Sequence, residues 1–232
     1  MASDLHWFDV PSVDEAPDEP GIYAWYVVPI AGEYALAEDL SDGQDLAIVR
    51  FGEFLSSHSR RLRHPDFRIQ ATGHLWAEWR GEITETGSHR LGNAIDRIAE
   101  GTGDGGKHLS TTMRAERTRR VLAQVLVEAA PRLVAPVYIG VATSLRERLT
   151  THVRNFRTVK DLIDDSKPIP EKLLNTFGER AATSRFVEDE MRVGVYPVPS
   201  LDDDLDDALL RQVAEAAEFV LNRWHHPILG RR

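Results

Sequence analysis

Hydrophobic and polar positions along this chain fall into short β-favouring runs and longer amphipathic repeats. Gly21 to Pro29 (Gly-Ile-Tyr-Ala-Trp-Tyr-Val-Val-Pro) is rich in aromatic and β-branched residues and is punctuated by Pro20 and Pro29, which predicts a buried strand. A second run, Val137-Tyr138-Ile139, stops at Gly140. Thr143 or Ser144 then caps a helix whose apolar face is Leu145, Leu149, Val153 and Phe156. Arg148 and His152, four residues apart, stand one above the other on that helix, turned away from much of the apolar stripe. A strand end and a helix face can therefore point a phenol, a guanidinium and an imidazole at a common spot. Read more blandly, the same pattern is an ordinary strand-turn-helix with a solvated basic face.

The flanking segments follow the same logic. Met1 to Glu19 is polar and acidic apart from Leu5, Trp7, Phe8 and Val10. Aromatic residues are rare on free tails, so a strap pinned by them is expected. Pro168 to Thr183 suggests a helix, and Met191 to Val198 suggests a third strand. The cluster Asp202-Asp203-Asp204 then caps a last helix with Leu205, Leu209, Leu210, Val213, Val220, Leu221 and Trp224 on its apolar side, ending before Pro227.

More than a hundred residues separate Tyr23 from Tyr138, too many for one structureless loop. Leu46 to Leu62 has helical periodicity, and Phe67 to Thr84 looks like one or two strands bending at Gly73. His89 to Ala99 and Thr111 to Ala130 read as helices, divided by the glycine-rich loop Gly101 to Gly106. No Lys-Ser/Thr pair follows that loop in register and no strand precedes it, so it reads as a flexible connection and not a phosphate cradle.

Composition narrows the class. The chain has 232 residues, 42% apolar and 28% charged, enough for one core with a smaller lobe. No segment has the apolar length of a bilayer span, and the acidic start is unlike a signal peptide, so a cytoplasmic location is the default expectation. The absence of cysteine excludes disulfides and thiolate zinc sites. A net charge of −9 argues against nucleic acid only until it is divided along the chain. Residues 1 to 40 hold nine acidic side chains and no basic one, while the rest is close to balanced. Arg146, Arg148, Arg154, Arg157 and Lys160 against Glu147 make the central helix locally basic. Arg60, Arg61 and Arg63, and Arg117 and Arg120, form further basic clusters. Such runs are either solvated helix faces or contacts to a phosphate backbone.

Taken together, Gly21-Ile22-Tyr23, Tyr138-Ile139-Gly140, Arg148, His152 and Glu218 occur in the order and spacing of one known constellation, and the chain resembles the GIY-YIG nuclease family. The resemblance implies an α+β fold, a small three-stranded antiparallel sheet flanked by helices. On that reading residues 1–19 are an arm, 20–30 and 136–232 the nuclease core, and 31–135 an inserted mixed α/β lobe that could choose the target. It also implies a metal-dependent endonuclease acting on double-stranded DNA, in restriction, phage defence or repair. Glu218 would hold Mg²⁺ or Mn²⁺, with Glu215 as its rival. Arg148, forked and always charged, suits a phosphate oxygen. Tyr23 and Tyr138 would position or deprotonate water, helped by cationic neighbours, and His152 would share that role or hold the phosphate.

Three departures stand out, and the largest is the separation of more than a hundred residues between two signatures that in the family are usually joined by a short hairpin. Val141 follows the second signature where the family often has a polar residue, and Gly230 stands where an asparagine is common, with His225 and His226 as possible substitutes. These departures leave a second reading open, a nucleic-acid-binding or regulatory module that keeps the fold without the catalysis.

Overall fold

A computed structural model describes residues 5–41, 44–62, 67–72, 80–85, 107–170, 176–198 and 207–230. The chain divides into two compact units. The first holds residues up to 30 and from 124 onward, and the second residues 31–123. The expected helix over His89 to Ala99, the glycine-rich loop, Arg63, Leu205 and the Asp202-Asp203-Asp204 cluster lie outside the described residues.

The first unit is built on one antiparallel sheet. Strands β1 (His6–Asp9), β2 (Gly21–Val27), β7 (Tyr138–Ala142) and β8 (Met191–Pro197) lie in the order β1-β8-β2-β7. The sheet has four strands, not the three expected. The fourth is the N-terminal strap, where Trp7 pairs with Gly194 and Phe8 with Val193. Gly194 permits this. A Cβ there would come within 2.0 Å of the Leu5 side chain. The strap continues into a 3₁₀ turn, Val10–Glu15, with Val10 and Val13 buried, and so closes an edge of β8 that would otherwise be left unpaired.

Strand β2 alternates strictly between buried and half-buried residues. Tyr23, Trp25 and Val27 point to a layer of helices α5 (Leu145–Asp164) and α6 (Phe177–Thr183). Trp25 stacks on Phe177 at 5.0 Å. Helices α5 and α6 pack closely because Gly178 has no side chain: a Cβ there would meet the His152 carbonyl at 2.0 Å. Of the helix expected over Pro168 to Thr183 the last part is helical, and residues 171–175 lie outside the described residues. Residues 168–170 are not helical, and α6 begins only at the box made by Thr176 and Glu179, whose carboxylate accepts from the Thr176 N–H at 2.7 Å. Pro168 and Pro170 lack the N–H groups a helix interior needs.

The opposite face of the sheet carries helix α7 (Asp207–His225), where Leu210 and Ala214 pack with Val198 against Ile22 and Val141. The apolar side expected for this helix is only partly core. Leu209, Val213, Val220 and Trp224 are exposed. The chain then returns to the sheet through the Leu229 N–H, which bonds the Val137 carbonyl.

The second unit contains α1 (Glu33–Leu36), the short pair β3 (Leu40–Ser41) and β4 (Gln44–Asp45), and α2 (Leu46–Arg61). It also holds the hairpin β5 (Phe67–Thr72) with β6 (Arg80–Glu85), and α3 (Lys107–Met113). The single helix expected over Thr111 to Ala130 is two. Helix α4 (Glu116–Leu133) starts anew after a break at Arg114 and Ala115, and its first turns belong to this unit. At its centre Arg119, fully buried, reaches Asp45 at 2.8 Å and the carbonyls of Met113 at 2.7 Å and Leu36 at 3.0 Å.

Candidate functional site

Helix α5 starts where the sequence places its cap. Ser144 accepts from the Glu147 N–H at 3.2 Å, and its hydroxyl in turn donates to Asp18. The strap supplies two more partners: the Glu19 and Pro17 carbonyls accept from the N–H groups of Leu145 and Arg146. The first N–H groups of α5 are thereby occupied by protein. What the helix offers to a ligand is its side chains.

Tyr23 on β2 faces Gly140 directly across the sheet. A Cβ on Gly140 would lie 2.6 Å from the Tyr23 hydroxyl, so glycine here makes room for the phenol. The Tyr23 hydroxyl sits 2.8 Å from His152 Nε2 and accepts from Arg148 Nε at 3.3 Å. Tyr138 stands beside this pair, its ring centre 6.0 Å from that of Tyr23 and 6.0 Å from that of His152. The Arg180 guanidinium lies 5.4 Å from the Tyr138 ring centre. Four of the five residues singled out in the sequence thus meet around one phenol.

The fifth lines the same opening. A cleft of about 510 Å³ is bounded by Tyr138, Arg148, Glu215, Glu218, Phe219, Asn222 and Arg223, with Ile139 and Val141 also lining it. A second hollow, of about 360 Å³, shares Val141, Arg148 and Glu215 with it and adds Glu147, Thr151 and Arg211. Glu215 and Glu218, three residues apart on α7, project from one face. Glu215 is held by Arg211 at 2.8 Å, and both carboxylates line the cleft. Two carboxylates suit a hard cation that keeps several waters, so the residues present fit Mg²⁺. Among the described residues no group of three or more His, Asp or Glu gathers for a tighter cage.

Burial divides the constellation into two tiers. Tyr23 and His152 are each 1% exposed and lie beneath the cleft, while Tyr138, Arg148 and Glu218 line it. This corrects the expectation for His152. It belongs to the buried stripe of α5, edge-on to Phe177 at 5.5 Å, and is not turned away from that stripe. Burial, reinforced by the cations Arg148 and Arg180, pulls its pKa down to about 3. At neutral pH it is uncharged and does not ion-pair with a phosphate. Its Nδ1 has no hydrogen-bond partner among the described residues. A buried bare lone pair is better tolerated than an orphaned N–H, so the proton is assigned to Nε2, which donates to Tyr23. The Tyr23 oxygen then accepts two N–H groups. Even so its pKa is raised, because burial and the neighbouring Tyr138 outweigh Arg148. The help expected from Arg148 in ionising Tyr23 is insufficient.

One pH prediction follows from His152. Between its ordinary value of 6.5 and about 3 the unfolded chain binds a proton at this residue that the folded chain refuses. Its neutral form therefore contributes stability above pH 6.5 that declines as pH falls, with a slope approaching ~1.4 kcal/mol per pH unit. The denaturation midpoint of His152→Gln should fall less steeply with acid than that of the parent. An NMR titration should find the His152 ring signals unmoved above pH 5. A midpoint near 6.5 would contradict the buried, uncharged imidazole.

The expected phosphate-contacting cations are distributed less favourably. Arg157 is clamped by both oxygens of Glu188 at 2.8 Å, and Lys160 pairs with Asp164 at 2.7 Å. Arg146 is exposed and donates through Nε to the Ala16 carbonyl. Arg154 and Arg157 line a different groove, beside the 3₁₀ turn of the strap. The side chain of Arg60 is outside the described residues. Arg61, Arg117 and Arg120 belong to the second unit, where Arg120 is held by Glu33 and Glu116. His225 lines an apolar groove with Leu5, Tyr26 and Tyr196 and is not among the residues lining the Glu218 cleft.

Several lining residues escaped the sequence reading. Asn222 lies one turn past Glu218 and donates to its backbone carbonyl at 3.0 Å. Positions 211, 215, 218 and 222 form one polar stripe along α7, visible as an i, i+4, i+7, i+11 pattern once Glu218 is taken as its anchor. Phe219 and Arg223 had no such signal, and neither did Arg180, which faces the Tyr138 ring. No family model matches the chain, and neither a curated protein nor a solved structure matches it.

Proposed function

We propose that this chain is a metal-dependent DNA endonuclease of the GIY-YIG type, hydrolysing phosphodiester bonds in the cleft between α5 and α7. The observation that supports this most is that Tyr138, Arg148 and Glu218, from a strand and two helices far apart in the chain, line one opening above the Tyr23–His152 pair.

Each residue then has a role its surroundings suit. Arg148, half-buried and braced by Tyr23, directs its terminal nitrogens to a non-bridging phosphate oxygen, where its charge is strongest when negative charge grows on the phosphoryl group. Tyr138 orients the attacking water by its hydroxyl at the cleft wall. Tyr23 and His152 are positioning residues that fix Arg148 and Tyr138 from below. Glu218, with Glu215 beside it, holds the cation. A bound Mg²⁺ supplies Lewis-acid polarisation of the phosphoryl oxygens and eases departure of the 3′ oxygen. Restriction, phage defence and repair are the settings in which such an activity would serve.

The depth of Tyr23 and its raised pKa favour one alternative, a module that binds nucleic acid in the same cleft without cutting it. Incubating the purified protein with supercoiled plasmid and Mg²⁺ or Mn²⁺ separates the two. Nicked and linear products that vanish with EDTA are expected. Retarded but intact plasmid at every cation concentration would favour the module.

A further inference from the structure

The Glu218 cleft has a wall that the proposed chemistry does not use. Phe219 lines it beside Tyr138, Arg148 and Glu218 and is 57% exposed. One turn on, the Arg223 guanidinium lies 3.4 Å from the centre of the Phe219 ring, with Nη1 donating to the Phe219 carbonyl at 3.4 Å. The guanidinium holds the ring by one face, a cation–π contact, and the remainder of the ring is open to solvent. A flat apolar surface edged by a positive charge, next to a forked arginine and a carboxylate, matches the parts of a nucleotide: base, phosphate and bridging cation. Within a B-form duplex both faces of a base are covered by its neighbours, so only an unstacked base can lie against such a ring.

We infer that Phe219 and Arg223 form a stacking platform for one unpaired nucleobase beside the scissile phosphate. The substrate class is therefore single-stranded DNA or duplex opened at the cut. This rests on the nuclease reading for the identity of the phosphate site. It narrows the double-stranded partner expected from the sequence to one that is locally melted, flapped or looped.

Binding measured without divalent cation tests the platform independently of cutting. Fluorescence anisotropy would compare a short labelled single strand with its duplex on the parent, Phe219→Ala and Phe219→Trp. A 2-aminopurine in the strand would report stacking by its quenching. Phe219→Ala should lose about tenfold in affinity for the single strand, within the range of one base–aromatic stack, and change little on the duplex. Phe219→Trp should restore both affinity and quenching.

Equal losses on strand and duplex, or no loss on either, would overturn the platform. So would an equal loss on Trp224→Ala, whose exposed ring does not line the cleft. If the parent stacks the base through Phe219 yet never cuts with Mg²⁺, the nuclease reading fails and the platform stands. If the parent cuts and Phe219→Ala binds single strands as the parent does, the platform alone fails.

Discussion

Arg148→Ala is expected to lower kcat for cleavage about 10²–10³-fold, with a smaller change in KM. The side chain is half-buried beside a cleft that also holds Tyr138 and Glu218, so its charge is less screened than that of a surface arginine. It also braces Tyr23 at 3.3 Å. Alanine removes both the phosphate contact and that brace. Arg148→Lys keeps the charge but not the fork and should recover only part of the rate. Glu218→Ala should be at least as damaging, and raising the Mn²⁺ concentration should not rescue it if Glu218 is the principal ligand. Single-turnover kinetics on a labelled oligonucleotide read the effect directly. Cleavage by Arg148→Ala at the parent rate would remove this cleft from consideration as the phosphate site, whatever else the protein cuts.

Arg119→Leu is expected to destabilise the 31–123 unit by about 3–5 kcal/mol, the cost typical of breaking a buried ion pair from one side. Arg119 is fully buried and ties α4 to Asp45, to the end of α3 through the Met113 carbonyl, and to the end of α1 through the Leu36 carbonyl. The substitution takes away the cation facing the Asp45 carboxylate and leaves it the Asp39 and Ala47 N–H groups. Burial by itself would raise the Asp45 pKa, but the Asp39 N–H, the Arg119 side chain and the Ala47 N–H together hold it below the ordinary 3.8. A carboxylate with a depressed folded pKa contributes stability that is complete above its unfolded value and is lost as pH falls through the lower folded one. In Arg119→Leu this acid dependence should weaken along with the stability itself. Pairing it with Asp45→Asn should return part of the loss, because no carboxylate without a facing cation then remains there. Chemical denaturation followed by hydrogen exchange on α2 and α4 measures both effects. A loss below ~1 kcal/mol in Arg119→Leu would mean that water reaches Asp45 readily.

The likeness that the sequence carries and the geometry that the fold makes are separate supports for the proposed nuclease. Tyr23 and Gly140 illustrate the link between them. In sequence they are a tyrosine and a glycine from two tripeptides more than a hundred residues apart. In the sheet they are cross-strand partners, and the missing Cβ of one is the space filled by the phenol of the other. A pattern of residues can therefore mark a site whose physical reason lies wholly in strand pairing.

Local pattern settled what depends on neighbours in the chain. The apolar period of Leu145, Leu149, Val153 and Phe156, the Ser144 cap, and the alternation along Gly21 to Val27 each act over a few residues, so the strands, the central helix and the late helix were legible. Competition between distant segments was not. The strap became a fourth strand because β8 offered an unpaired edge, which Trp7 and Phe8 alone do not reveal. His152 sank beneath Tyr23 because Gly178 lets α6 approach α5, although spacing alone set it on an outer face with Arg148. Arg157 read as a free cation until Glu188, from a segment 31 residues on, folded against it, whereas the Lys160–Asp164 pair is four residues apart on one helix and was open to a sequence reading. Periodicity carries the direction a side chain takes from its own backbone. Burial, partner and pKa depend on what arrives from elsewhere, and only the tertiary structure decided those.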